Sequence, residues 1–115
     1  TRYDYLRIAK AMMDDWQNDT CVGKYLKKLV KNKIPKKRYM EKEKGYRFSS
    51  KSYAGQFYLD YLDLEGRNIF GLSGYGGQTI MIDFDESRII VINTVHTDYN
   101  FKRLVLDVMK NGRIK

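Results

Sequence analysis

The residues with the clearest chemical potential lie in Phe70-Gly-Leu-Ser-Gly-Tyr-Gly-Gly-Gln78, which holds four glycines within seven positions. It is followed at once by Thr79-Ile-Met-Ile82 and, a turn later, by the apolar run Ile89-Ile-Val-Ile-Asn-Thr-Val95. Glycine weakens a strand interior, so a cluster there marks a bulge, a tight turn or a close approach by a ligand or another backbone. Backbone N–H groups in such a segment can hold an oxyanion or a phosphate. The segment therefore marks a place where something binds.

Phosphate is the weaker of those two ligands. A Walker loop needs Gly-Lys-Ser/Thr ahead of a helix, whereas here Gln78-Thr79 leads into a strand. The dinucleotide fingerprint fails as well, because the position of its third glycine is Thr79. A kinase-like glycine loop lies between strands, but its companion motifs are absent. His96, the only histidine, follows the last strand and precedes Thr97-Asp98. It is read either as a strand cap or as a substrate contact at the sheet end. One histidine with scattered carboxylates makes no metal site, so neither metal nor cofactor is expected. Asp83, Asp85 and Glu86 fall in one acidic turn, where carboxylates serve solvation and turn geometry, and no general acid–base pair is evident. Cys21, the single cysteine, excludes an internal disulfide and reads as a small buried hydrophobe at the start of a helix.

The elements that must position the glycine segment follow from periodicity. Thr1 caps a helix with Tyr5, Ile8, Ala9, Met12, Met13 and Trp16 on one face. Asp19 or Thr20 starts a second helix with Val22, Tyr25, Leu26, Leu29 and Val30 in a stripe, and Pro35 stops it. Residues 1–35 thus form a helical hairpin, and 36–52 read as an exposed basic connection. Antiparallel strands occupy 53–98: Gln56 to Tyr61, with Phe57, Leu59 and Tyr61 on one face, then Asn68 to Ser73, Gln78 to Asp83 and Arg88 to Val95. Consecutive apolar positions imply burial on both faces, so helices should cover both sides of the sheet. A closing helix over 99–112 ends at Asn111-Gly112. The turns are too short for parallel crossovers, so the fold class is α+β, an antiparallel sheet flanked by helices.

At 115 residues the chain holds one domain at most, and its longest wholly apolar run is four residues, so no membrane span is present. It begins at Thr1, already within a helix, which reads as a piece of a longer protein. The formal charge of +8 is uneven: Lys24 to Lys51 holds twelve Lys/Arg against two Glu. Such a block is either a solvated face or a footprint for nucleic acid or an anionic surface, and the solvated face is preferred because regular aromatic interleaving is missing.

The layout and the glycine motif resemble the C-terminal part of the β-lactamase-related serine hydrolases. That family includes class C β-lactamases, D-alanyl-D-alanine carboxypeptidases, related esterases and 6-aminohexanoate-dimer hydrolases. The likeness spans essentially the whole chain and includes Tyr53-Ala-Gly-Gln-Phe-Tyr58, similar to the family's Tyr-Gly-x-Gly-aromatic strand. Tyr75-Gly76-Gly77 matches the place of the family's Lys-Thr-Gly motif or its His-x-Gly variants. The resemblance implies a backbone N–H of Gln78 in the oxyanion hole, with Tyr75, Gly76, Gly77 and His96 near the substrate. Tyr75 lacks the positive charge that would hold a β-lactam carboxylate, which favours an ester or amide substrate. The family's nucleophile lies in Ser-x-x-Lys, and none of Ser49, Ser50, Ser52, Ser73 and Ser87 has a lysine three positions on. None of the ten tyrosines begins the family's Tyr-x-Asn or Tyr-x-Ser motif. The implied protein is therefore one wall of a hydrolase site, inactive without the N-terminal portion that would carry the nucleophile. By the same resemblance it would be periplasmic or secreted. Two readings from other classes stand beside it: a basic binding module for nucleic acid or an anionic surface, and a set of strands that completes another chain's sheet.

Overall fold

The computed structural model describes residues 1–35, 50–61, 63, 64, 66–73, 78–93 and 100–112. Helix α1 (Arg2–Gln17) opens with a capping box between Thr1 and Asp4. Asp19 then takes a left-handed turn, φ 52°. Helix α2 (Cys21–Lys31) follows, capped by the Thr20 hydroxyl, which accepts the Gly23 N–H at 3.2 Å. These short-range signals are why the two helices end where they do.

Six strands form one antiparallel meander in sequence order: β1 (Ile34–Pro35), β2 (Ser50–Ala54), β3 (Phe57–Tyr61), β4 (Ile69–Ser73), β5 (Thr79–Asp83) and β6 (Arg88–Ile92). Helix α3 (Phe101–Asn111) closes the chain, capped by the Asn100 side chain and ending at a left-handed Gly112. The hairpin of α1 and α2 covers one sheet face, where Ala9, Met13 and Leu26 meet Ala54, Leu59, Phe70, Ile82 and Phe84. Trp16 stacks on Phe84 in this layer, ring centroids 4.4 Å apart. Helix α3 covers the other face, where Val105 and Met109 meet Tyr61, Leu64, Ile69, Met81 and Ile90. The α+β class and the burial of the sheet on both sides agree with the strand pattern.

Several particulars differ from the sequence reading. Ser50 to Ser52 belong to β2 and not to a connection; both serines are buried, so their polar character hid an inward-facing strand. Ile34 and Pro35 do more than end a helix, because they pair with Tyr53 and Ser52 as a short edge strand. Proline is tolerated there because an edge position has no required N–H. Residues 36–49 of the expected connection lie outside the described residues. Cys21 is exposed, since it sits on the first turn of α2 away from the sheet. Tyr5, Ile8, Val22 and Tyr25, placed on the core stripes by periodicity, are also exposed.

Tyr61 also leaves its expected face. Phe57 and Leu59 point to the α1/α2 layer, yet Tyr61 packs with the α3 layer. Asp60 between them has φ 54°, which turns the strand over as a bulge does. The Tyr61 ring then lies beneath Gly71, where an added Cβ would fall 1.8 Å from its hydroxyl oxygen. Gly71 is a space requirement.

The end of the sheet holding the β5–β6 turn is fixed by a buried charge pair. Asp83, fully buried, pairs with Arg67, and its Oδ1 accepts the N–H groups of Asp85 at 3.0 Å and Glu86 at 3.1 Å. Arg67 also donates to the Met109 carbonyl at 2.7 Å, and Arg88 donates to the same oxygen at 2.6 Å. The last turn of α3 is thereby tied to the bend before β4 and to β6. Asp83 is thus an internal anchor, not part of a solvated acidic turn.

Two substitutions test these packing arguments by urea denaturation. Gly71→Ala should cost about 1–3 kcal/mol through overpacking against Tyr61. Arg67→Ala should cost about 3–5 kcal/mol by leaving Asp83 as an unpaired buried charge, and Asp83→Asn should cost less because no net carboxylate charge remains.

Candidate functional site

At the opposite end of β4 and β5 the sheet opens into a groove of about 340 Å³. Its described wall is Tyr5, Tyr53, Gln56, Tyr58, Leu72, Ser73, Gln78 and Ile80. The strands bring these residues together by register. Leu72 opposes Ile80 and Ser73 opposes Thr79 across β4 and β5, while Tyr53 opposes Tyr58 across β2 and β3. The Tyr53 and Tyr58 rings meet edge-on with centroids 5.4 Å apart. Gln56 lies in a two-residue turn after Gly55, with φ 54° and 71° in succession. Positive φ at both positions is the type I′ geometry that suits the twist of a tight hairpin. Tyr5 reaches the groove from the first half of α1.

Gln78, half-buried, is the first described residue after the glycine segment and stands on the groove wall. Tyr75, Gly76, Gly77 and His96 lie outside the described residues. The periodicity argument missed the rest of the wall. Tyr5, on the stripe that periodicity directs to the core, is exposed and lines the groove. Tyr53 and Tyr58 had a usable signal, being the two aromatic ends of the hairpin motif that flanks Gly55-Gln56.

The wall has three phenols, two carboxamides and one serine hydroxyl, and none of its described members carries a formal charge. Such a surface can stack on a ligand and exchange neutral hydrogen bonds. Among the described lining residues there is no carboxylate, lysine or histidine. Ser73 has no lysine or histidine among the groove's described residues to activate it.

A smaller cavity of about 130 Å³ lies between the end of α2 and the β3–β4 region, lined in part by Lys33, Asp60, Arg67 and Asn68. Its charges are internally matched. Lys33 Nζ stands 2.8 Å from the Asp60 carboxylate. Burial pushes the Asp60 carboxyl up, but hydrogen bonds from Lys33 and Ser52, with the charges of Lys33 and Lys51, outweigh it and leave the group below its ordinary value. In the basic block Lys27 likewise contacts Asp19 at 2.9 Å and lies over the Trp16 ring. Part of that block is therefore committed to internal pairs.

Among the described residues no helix is long and apolar enough to cross a membrane. Comparison with family models, with curated proteins and with solved structures finds no match for this chain.

Because the folded Asp60 pKa lies below 3.8, its pairing contributes stability above about pH 4 and loses it as pH falls through the folded value. Asp60→Asn, which suits the left-handed backbone there, should lower the urea midpoint at pH 7. At pH 3 the two proteins should differ less. A constant difference across that range would show that the Asp60 charge contributes nothing.

Proposed function

We propose that this chain is the C-terminal portion of a β-lactamase-related serine hydrolase that cleaves an ester or amide through an acyl-enzyme. One observation carries the reading. Gln78, directly after the glycine segment, stands on the wall of an open groove at the end of the sheet whose described lining residues carry no formal charge. The antiparallel meander covered on both faces and closed by a C-terminal helix is the layout that the resemblance implies.

In this reading the upstream portion supplies the opposite wall and the Ser-x-x-Lys nucleophile. Lysine takes the proton from serine, whose oxygen attacks the substrate carbonyl. The carbonyl oxygen becomes an oxyanion, and the Gln78 N–H is one of the fixed donors that stabilise it. Collapse of this tetrahedral species expels the alcohol or amine, and water then releases the acid by the same route. By the resemblance, Gly76 and Gly77 would let the backbone come close to the acyl group, and Tyr75 and His96 would contact the substrate; all four lie outside the described residues. A neutral wall matches an ester or amide better than a substrate that must be held by its carboxylate.

The chain alone should give no turnover of a chromogenic ester or of a β-lactam. The product of the complete reading frame should hydrolyse the ester and be labelled at serine by a fluorophosphonate. There Gln78→Pro, which removes the N–H, should lower kcat by about 10²–10³, whereas Gln78→Ala should be far milder. Hydrolysis by the isolated chain, or a reading frame without Ser-x-x-Lys, would overturn the proposal.

A further inference from the structure

Asn111 is the only asparagine of the chain followed by glycine, and the pair stands at the end of α3. An asparagine before glycine carries a reaction of its own. The main-chain nitrogen of the next residue can attack the side-chain amide carbon, and a glycine there has no Cβ to shield that nitrogen. Both residues are exposed, so water reaches the pair. The other asparagines precede Asp19, Lys33, Ile69, Thr94 and Phe101, whose side chains crowd the same approach.

The folded chain holds this reaction back. The Gly112 N–H donates to the Val108 carbonyl at 2.8 Å, so its nitrogen is committed to closing the helix. Three residues before Gly112, the Met109 carbonyl accepts from Arg67 at 2.7 Å and from Arg88 at 2.6 Å. The Arg88 guanidinium also lies against Gly112, its Nε 3.5 Å from where a Cβ on that residue would stand. Helix ends commonly fray. Here the last turn is latched by hydrogen bonds from two arginines and from its own cap.

We infer that Asn111-Gly112 is a self-modification site, and that the arginine latch on Met109 sets its rate by holding the last turn of α3 closed. When the turn opens, the Gly112 nitrogen bonds to Asn111 Cγ at the high effective concentration of a neighbour in the same chain. The Cγ–Nδ2 bond breaks, and Nδ2 leaves as ammonia with the proton taken from Gly112. Water then opens the resulting succinimide at either carbonyl, leaving aspartate or isoaspartate at position 111. Only water is consumed. The new carboxylate stands at the negative end of the α3 dipole. Isoaspartate also adds a methylene to the main chain, so the Gly112 N–H no longer meets the Val108 carbonyl at helical spacing. A reversible opening thereby becomes permanent. This chemistry does not depend on the hydrolase reading.

Incubation at neutral pH, followed by peptide mapping with mass spectrometry, tests it. Asn111 in the protein should gain the mass of an amide-to-acid conversion, with isoaspartate told from aspartate by fragmentation. A peptide of residues 106–115, too short to hold the helix, should convert at least about tenfold faster. Arg88→Ala should speed conversion in the folded protein about five- to tenfold, the effect of removing one hydrogen bond that opposes opening. Asn111→Gln should stay unmodified over the same period. In mild urea the wild-type protein should show conversion and hydrogen exchange of the 109–112 amides rising together, a check that stands even where Arg88→Ala does not fold. Equal rates in protein and peptide, or no conversion in the protein, overturn the inference. So does urea that quickens exchange and leaves conversion unchanged, or a folded Arg88→Ala protein that converts no faster.

Discussion

The structure depends most on the buried pair of Arg67 and Asp83. A carboxylate with no access to water carries a large desolvation cost, which is offset only when its remaining lone pairs are also satisfied. Here they are, by Arg67 on one oxygen and by the Asp85 and Glu86 N–H groups on the other. The guanidinium extends the arrangement to the Met109 carbonyl, where Arg88 joins it. One acceptor at the C-terminal end of α3 is thus held from the bend before β4 and from β6. Asn68 adds to this by holding the Asp85 carboxylate through its backbone and its amide, at 2.8 and 3.1 Å. The network sets the register of β4 against β5 and seats the closing helix over the sheet.

Rigidity at that end has a counterpart at the other. β4 and β5 each run five residues, about 17 Å, from the charge network to the groove. The groove end has no buried ion pair among its described residues and is built from tyrosines and amides on a tight hairpin and two strand ends. Strands pinned at one end and paired along their length deliver Leu72, Ser73, Gln78 and Ile80 to fixed positions. Among the described residues the sheet also has unlike outer strands, one of two residues ending in proline and one of five residues.

Much of this architecture was readable from local patterns. Period and capping residues located α1, α2 and α3, and the apolar runs located β4, β5 and β6 to within a residue or two at most described ends. Glycine chemistry marked the segment that leads to Gln78. Two strands escaped because their signals are not periodic: β1 has only Ile34 and Pro35, and β2 turns two serines inward. Tyr61 was placed on the wrong face because alternation assumes an unbroken strand, and a left-handed Asp60 breaks it.

The sequence by itself determined the three helices, the four strands from β3 to β6, the class of fold and the absence of a nucleophile motif, because these depend on neighbours along the chain. Only the tertiary structure decided that Asp83 is an internal anchor rather than a solvated turn residue. It alone showed that Tyr5 of the first helix joins Tyr53, Tyr58 and Gln78 around one groove. Those facts depend on residues tens of positions apart being brought within a few ångströms. The cost of burying a charge and the volume left beside a strand end exist only once the layers have packed.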